Sequence, residues 1–231
     1  MKTILETDMD FICDINAPCF QLLEKDEIDL IQSGKTQVQF RKGDSITKQG
    51  AFASYVLFMV KGLAKQYIEG VDNKSFNIKI VTPGDFVGLS SVFDRVIFDY
   101  STIALTDCQA FLIEKEAVSG LVKKNGNFGF SITRRYCKQN HSLFKTISNL
   151  LYKQMNGRLA GALLYLDEIN SKYPELYGLL NRKDIAGFCG ISTENCVKLL
   201  ESFEKDGIIK LSDKQIIIKD KNVVELIASR G

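Results

Sequence analysis

The stretch that decides the fold lies near the end of the chain, at residues 181–200: NRKDIAGFCGISTENCVKLL. Asn181 is a favourable N-cap for one helix, Gly190 interrupts the apolar run, and Ser192 can cap a second helix. The second helix has an inward apolar stripe made of Cys196, Leu199, Leu200 and Phe203. Gly207 supplies a stop for it. Two short helices around a glycine turn are the layout of a DNA-binding helix-turn-helix.

The outward face of the second helix carries side chains that suit base edges. Glu194 can accept a hydrogen bond from cytosine, Lys198 can donate to guanine, and Val197 can contact a thymine methyl group. Ser192 and Thr193, together with the free amides of the first turn, suit a phosphate oxygen. An ordinary surface helix with a solvated glutamate–lysine pair has the same pattern. The face alone therefore leaves both interpretations open.

Two β-rich runs follow this helix, at residues 208–211 and 215–219, and a short polar turn joins them. A hairpin directly after a recognition helix is a wing, and its loop can lie along the phosphate backbone. Lys210, Lys214 and Lys219 supply positive charge there. Lys214, in the turn, is the predicted DNA contact of the wing.

The composition is that of a soluble globular protein. The chain has 231 residues, of which 45% are hydrophobic and 25% charged, and its net charge is +2. No run approaches the roughly 18 apolar residues of a membrane span, and residues 1–8 lack the apolar segment of a signal peptide. We therefore expect a cytoplasmic protein with no membrane partner. The near-neutral charge means that DNA binding would depend on a local patch.

Short β-like runs separated by glycine turns occupy residues 36–114. This spacing predicts an all-β barrel or roll. Two of the turns contain the same glycine–aspartate pair, Gly43-Asp44 and Gly84-Asp85, and glycine suits turn positions that need a positive φ.

A long helical pattern follows across residues 130–166. At approximate heptad spacing it carries a predicted dimer seam of Tyr136, Asn140, Leu143, Ile147 and Leu150. A flanking row of Phe144, Leu151 and Met155 is expected to face the barrel. A helix with two apolar rows and no partner helix in the chain is explained by its twin in a homodimer, while an ordinary core helix is the alternative. The pattern relaxes at Asn156-Gly157, where we expect a hinge.

The order of these elements resembles the Crp/Fnr superfamily of bacterial transcription regulators over nearly the whole chain. The matching motifs are Lys42-Gly43-Asp44, residues 46–50, Val60-Lys61-Gly62, residues 83–88, residues 156–160 and residues 182–200. The resemblance implies an α+β fold in three parts. These are an N-terminal cyclic-nucleotide-binding-like β-roll with a helical segment at residues 1–125, a long central dimerisation helix and hinge at residues 126–156, and a C-terminal winged helix-turn-helix at residues 157–231.

The resemblance also implies a homodimer that recognises a two-fold site in double-stranded DNA, with half-sites about 34 Å apart. The base-reading positions of the family fall on Glu194, Val197 and Lys198, with Thr193 beside them. Lysine stands where the family commonly has arginine, which weakens the case for bidentate recognition of guanine. RNA polymerase and a small-molecule effector are further partners that the resemblance leaves open.

The sensing half departs from the cyclic-nucleotide members of the superfamily. Those members bind phosphate through Gly-Glu near the start of one segment and Arg-Ser near its end. Leu89 replaces the glutamate here, and Asp99-Tyr100 occupies the place of the second pair. An aspartate that faces a cyclic phosphate is repulsive, so cyclic AMP is not favoured. The candidate effector pocket consists of Gly88, Leu89, Ser90, Asp99, Tyr100 and Phe144.

Two other cofactors of such regulators are not favoured either. Iron–sulfur members use four cysteines, whereas only Cys13 and Cys19 stand in the comparable N-terminal position. His141 is the single histidine and lies on the long helix, where a lone histidine is more often a packed or exposed residue than a haem ligand. No metal site is predicted, and the cofactor is left unassigned.

These inferences favour a dimeric, sequence-specific DNA-binding transcription regulator, whose sensor β-roll controls the winged helix without depending on cyclic AMP. The alternative is a ligand-binding or protein-interaction module whose winged helix contacts protein rather than DNA. The near-neutral C-terminal charge slightly favours that alternative. An enzyme is not expected, because the sequence has no glycine-rich phosphate loop, metal-ligand spacing or catalytic constellation.

Overall fold

A computed structural model describes residues 1–12, 20–71, 74–93 and 96–231. The chain divides into two compact units. The first consists of Met1–Glu69 with Lys79–Ser142, and the second consists of Gly70–Ile78 with Leu143–Gly231. Among the described helices, none combines the length and the apolar content needed to cross a bilayer.

Among the residues that the structure describes, nine strands form the predicted β-roll. They are Lys2–Thr3 (β1), Lys35–Phe40 (β2), Ser45–Thr47 (β3), Tyr55–Lys61 (β4), Ala64–Glu69 (β5), Ser75–Val81 (β6), Phe86–Val87 (β7), Ser101–Ala104 (β8) and Cys108–Glu114 (β9). One sheet has the order β1-β2-β9-β4-β7, and the other has the order β3-β8-β5-β6. In the first sheet β9 pairs antiparallel with both β2 and β4.

The β9 strand shows how the roll divides its apolar side chains between two clusters. Successive residues of a strand point to opposite faces. Phe111 and Ile113 therefore join one buried cluster, while Cys108 and Ala110 join the other. All four side chains are fully buried, so β9 stabilises both sides of its sheet.

In the described part of the first unit lie, wholly or partly, three α-helices: Lys25–Ser33 (α1), Lys115–Lys124 (α2) and Gly126–Tyr152 (α3). They pack their apolar faces into the cluster that contains Phe111. From these helices the cluster receives Ile31, Val118, Leu121, Phe128 and Ile132. The start of α3 is thereby fixed to the roll.

The long helical pattern is divided into two helices. The first, α3, ends at Tyr152, and the next helix, Met155–Asn170 (α4), begins after an extended N-cap at Gln154. The break therefore precedes the predicted position at Asn156-Gly157, and that prediction was wrong. Gly157 lies inside the first turn of α4, where an added Cβ would stand 2.5 Å from the carbonyl oxygen of Gly231. This glycine permits close packing and does not interrupt the helix.

The second unit has the predicted winged helix-turn-helix. Its remaining elements are Leu176–Leu179 (α5), Arg182–Cys189 (α6), Thr193–Lys205 (α7), Ile209–Ser212 (β10), Gln215–Ile218 (β11) and Lys221–Arg230 (α8). α4 supplies the buried centre through Leu159, Leu163 and Leu166. The fold class predicted from sequence, an α+β chain with a β-roll, a central helix and a winged helix-turn-helix, is confirmed.

Candidate nucleic-acid interface

The first helix of the pair, α6, begins at the residue that the sequence indicates. The Asn181 side chain accepts a hydrogen bond from the Asp184 amide at 2.8 Å, and the Asp184 carboxylate accepts one from the Asn181 amide at 3.0 Å. This reciprocal arrangement is a capping box. Ile185, Ala186 and Cys189 are buried, so the apolar face of the helix is directed into the unit.

The turn between the helices depends on Gly190. Its backbone is left-handed, with φ 63° and ψ 39°, a conformation in which an L side chain is strained. An added Cβ would also lie 2.6 Å from Leu150 Cδ2. The backbone conformation therefore favours glycine here, with the end of the Leu150 side chain close by, and α7 starts three residues later.

The second helix, α7, buries one stripe and exposes the other. Ser192 is its N-cap, and the Ser192 hydroxyl accepts from the Asn195 amide at 3.2 Å. The buried residues are Cys196, Leu200 and Phe203. Thr193, Glu194 and Lys198 are exposed, whereas Val197 is half-buried. Burial confirms the inward positions of Cys196, Leu200 and Phe203, while Leu199, predicted inward, is half-buried like Val197, which was predicted outward.

The two charged residues of the exposed face contact each other. Lys198 Nζ lies 2.7 Å from Glu194 Oε1, and the side chains are 66% and 74% exposed. Such a pair on a helix surface contributes only about 0.2–0.5 kcal/mol. Both groups can therefore exchange this contact for a different partner at little cost in free energy.

The wing places Lys214 at the tip of a tight hairpin. β10 and β11 pair antiparallel, with Ser212 opposite Gln215. Asp213, at φ 50°, adopts the left-handed conformation that aspartate tolerates in turns. Lys214 is exposed. Lys210, on β10, and Lys219, just after β11, are exposed as well.

Sequence patterns did not indicate the residue that joins the wing to α7. The Leu211 amide donates to Glu204 Oε1 at 2.7 Å. Because Glu204 lies on α7 and Leu211 on β10, this bond fixes the hairpin to the helix. An exposed glutamate near a helix end has no distinctive spacing, so only the three-dimensional structure identifies this role.

In the roll, the structure brings together two of the predicted effector residues, Gly88 and Tyr100. The Gly88 amide donates to the Tyr100 hydroxyl at 2.8 Å. Gly88 has φ 81°, and an added Cβ would lie 2.6 Å from Phe98 Cε1. Burial raises the pKa of Tyr100. Phe98 is one of the apolar residues whose grouping in this segment suits a hydrophobic pocket or a partner surface, and its ring fills the space beside Gly88.

The other members of the predicted pocket differ in burial. Leu89 is buried in the roll's core, Ser90 is half-buried and Asp99 is exposed. Phe144 is 68% exposed and belongs to the second unit, whereas the other five residues belong to the first. Its assignment to the pocket stays a prediction.

The residues of the predicted dimer seam on α3 differ in burial. Asn140 and Ile147 are exposed, whereas Tyr136, Leu143 and Leu150 are half-buried. In the row that was expected to face the barrel, Phe144, Leu151 and Met155 are exposed. All three belong to the second unit and the barrel belongs to the first, so that expectation stays a prediction.

Cys13 and Cys19, considered as cluster ligands, lie outside the described residues. His141 is exposed on α3. Among the described residues, there is no group of three or more histidine, cysteine, aspartate or glutamate side chains able to hold a metal ion.

Two family models match the chain over the two regions described above. Residues 37–125 match the cyclic nucleotide-binding domain, and residues 157–225 match the Crp-like helix-turn-helix domain. The chain is also similar to the CRP-like cAMP-activated global transcriptional regulator of Mycobacterium tuberculosis. The two are 22% identical over 208 residues, which cover 88% of this chain and 93% of the relative.

Solved structures show the same fold. A Crp/Fnr-family transcriptional regulator from Eubacterium rectale has a TM-score of 0.74 at 20% identity, covering 92% of this chain and 98% of that one. A CooA variant from Carboxydothermus hydrogenoformans has a TM-score of 0.74 at 19% identity, covering 94% of this chain and 98% of that one.

Proposed function

Because the chain belongs to the Crp/Fnr family of transcription regulators, we propose that it acts as a homodimer that binds a specific DNA sequence and responds to a signal other than cyclic AMP. The observation that carries the proposal is the exposed edge of α7. Glu194 and Lys198 stand there on an exposed helix face whose opposite side is buried.

DNA recognition is assigned to the N-terminal half of α7. Ser192, Thr193 and the unpaired amides of the first turn bind a phosphate oxygen, which sets the depth of the helix in the major groove. Glu194 accepts from a cytosine amino group and Lys198 donates to guanine. Val197 contacts a thymine methyl group. Lys214 binds the phosphate backbone beside the groove.

The dimer is supported by an apolar row on α3 that nothing in the described chain covers. Phe130, Cys137, Phe144 and Leu151 follow one another at seven-residue intervals and are all exposed. Seven-residue repeats are the spacing by which two helices pack in a coiled coil. We therefore centre the seam on this row, with Asn140 and Ile147 beside it, rather than on the half-buried row of Tyr136.

A signal would act by shifting a population. In this mechanism the β-roll and α3 have two arrangements, and the segment at Lys153-Gln154, where the helix is interrupted, allows the recognition helices to change direction. Only a ligand with different affinities for the two arrangements can drive the shift. RNA polymerase is the natural further partner of such a regulator.

The residues of the cyclic-nucleotide segment do not suit a cyclic nucleotide. The Gly88 amide, a donor that a phosphate oxygen would need, is already bonded to the Tyr100 hydroxyl, and the Phe98 ring stands beside it. Leu89 offers no carboxylate to a ribose hydroxyl. These contacts support independence from cyclic AMP, and no step of the mechanism passes through that ligand.

The experiment that tests the proposed function is a salt titration of DNA binding, with and without cyclic AMP. Fluorescence anisotropy of a labelled duplex measures the affinity. Released counterions make log K fall linearly with log salt, with a slope of about −0.9 per phosphate contact. Lys214→Ala should make this slope shallower by about 1, and cyclic AMP should change nothing. Exposed Lys205, at the far end of α7, provides the matched control Lys205→Ala.

A protein-interaction module would give a different result. Its winged helix would show no salt-dependent affinity for duplex DNA at any salt concentration. Binding of DNA that appears only after addition of cyclic AMP would contradict the assigned signal but keep the assigned DNA interface.

A further inference from the structure

The first unit contains a groove that DNA recognition does not use. It is a cavity of about 420 Å³ between the 3-10 turn Leu89–Val92 and helix α2. Cavities of this size hold small-molecule ligands. Neither Gly88 nor Tyr100 belongs to its described lining, although Val92, Phe93 and Val96 come from the same segment. The groove therefore adjoins the cyclic-nucleotide segment and does not include the bond between Gly88 and Tyr100.

One side of the groove is apolar. Val92, Phe93 and Val96 line it, and the side chains of Phe93 and Val96 are about half exposed. The exposed ring of Phe52 lies close by, with Lys115 Nζ 5.4 Å from its centroid. Apolar side chains grouped in this way on a surface mark a place where another molecule binds.

The other side of the groove is cationic. Lys115 and Lys123 of α2 line it, and Glu116 is the carboxylate among its described lining residues. Lys123 makes no ion pair with any described residue, whereas its neighbour Lys124 lies 3.4 Å from Asp26. The described lining therefore has one positive charge in excess, which suits a single negative charge on a ligand.

Gly120 opens the helical wall of the groove. It lies in the interior of α2, where glycine is less favourable than alanine. An added Cβ would meet nothing within 4 Å, and no positive φ requires glycine there. The space over this residue is the cavity itself, so neither packing nor backbone conformation explains the glycine.

We propose that this groove binds an amphipathic monocarboxylate. The apolar chain of the ligand lies along Val92, Phe93 and Val96, and its carboxylate contacts the Lys123 ammonium. The site goes beyond DNA recognition and does not depend on it.

A ligand bound in the groove would change the packing of helix α3 through one side chain, Phe93. The Phe93 ring centroid lies 5.9 Å from that of Tyr136 on α3. A ligand that displaces Phe93 therefore changes the packing of Tyr136. This contact connects the groove to the helix on which the dimer seam is placed.

The test uses decanoate as the probe and the full chain, by isothermal titration calorimetry below the micelle-forming concentration. Decanoate should bind with one site per chain. Lys123→Gln should weaken binding at least about tenfold, since it removes the charged contact. Decanol, which has the same chain and no charge, should bind the wild type at least about tenfold more weakly than decanoate does. Lys25→Gln, at an exposed lysine of α1, is the matched control and should change nothing.

A second pair of variants tests the location. Gly120→Phe should fill the groove and abolish binding, while Gly120→Ala should fold at least as well as the wild type and retain binding. The site is refuted if the wild type binds no decanoate, in which case the apolar rim is a surface for a protein partner. It is also refuted if Lys123→Gln binds decanoate as tightly as the wild type.

Discussion

Lys198 Nζ and Glu194 Oε1 lie 2.7 Å apart on the exposed edge of α7. In the free protein these two charged groups, four residues apart on one helix, form an ion pair with each other. DNA can separate them, because an exposed pair of this kind contributes only a few tenths of a kcal/mol. In the proposed complex, Glu194 then faces a hydrogen-bond donor of a base and Lys198 faces an acceptor.

Replacing both Glu194 and Lys198 with alanine should abolish sequence preference and leave the fold intact. Neither side chain is buried, and each base contact discriminates by about 1–3 kcal/mol. The ratio of affinities for a preferred duplex and a scrambled one should therefore fall towards one, measured by fluorescence anisotropy. Glu201→Ala with Lys205→Ala removes the same residue types at the same spacing in the second half of α7, and this control should keep the preference.

Replacing Ile147 with aspartate should produce monomers. A charge at this position would be buried between two copies of α3 without a partner, which costs several kcal/mol. Sedimentation velocity measures the mass in solution. Ser142→Asp adds the same charge to the opposite face of the helix and should remain dimeric. If the Ile147 variant sediments as a dimer, the contact between copies lies elsewhere.

Oxidation should link two copies of the chain through Cys137. In a parallel coiled coil, residues of the central row lie opposite their own counterparts, and Cys137 is exposed within that row. Mild oxidant should give a disulfide-linked dimer on a non-reducing gel. Cys137→Ser should remove this species, whereas Cys108→Ser, at a buried thiol of the roll, should keep it. If Cys137→Ser kept the disulfide-linked dimer and Cys108→Ser removed it, the row of Phe144 would lie outside the seam.

Replacing Tyr100 with phenylalanine should destabilise the roll by about 1–3 kcal/mol, because the Gly88 amide loses its acceptor. Denaturant titration measures this change in the free energy of unfolding. Tyr55→Phe, at an exposed ring of β4, is the control and should stay within about 0.5 kcal/mol of the wild type. Equal stabilities of the two variants would mean that water or another group satisfies the Gly88 amide.

Alkaline pH should destabilise the chain through Tyr177. Burial, and secondly the charge of Asp167, raise the pKa of Tyr177 well above its ordinary value of 10.0. Above about pH 10 the unfolded chain loses this proton and the folded chain keeps it. The unfolded state then binds fewer protons, so the free energy of unfolding falls by up to about 1.4 kcal/mol per pH unit for this group.

Tyr177→Phe should therefore show a shallower decline of stability between about pH 9 and pH 11 than the wild type does. Guanidinium titrations at several pH values measure the decline. The matched control is Tyr152→Phe, which removes a hydroxyl group from an exposed ring. Parallel declines in the wild type and the Tyr177 variant would contradict the assigned origin of the alkaline effect.

Local chemistry explains why the recognition motif was predictable. Asn181, Gly190 and Ser192 act through bonds to residues within a few positions, so their identity alone indicates where α6 and α7 begin and end. The wing followed from the same kind of signal, a polar turn between two apolar runs.

Features that depend on distant neighbours were not predictable in the same way. Leu150 and Leu151 are equally apolar, yet the first packs near Gly190 and the second is exposed. Only tertiary contacts decide which row of α3 is covered. The hydrogen bond between Tyr100 and Gly88 joins residues twelve positions apart, so the sequence around either residue does not indicate it. Gly157 by itself suggests a hinge, and only its contact with Gly231 shows that it permits close packing.

The most direct test of the central claim, that the exposed edge of α7 reads DNA, is selection of duplexes from a random library by the purified protein. We expect an enriched site with two-fold symmetry and half-site centres about 34 Å apart. The same selection with the Glu194→Ala, Lys198→Ala protein should enrich no common sequence. If that variant enriches the same site as the wild type, or the wild type enriches none, α7 is not the reader of a DNA sequence.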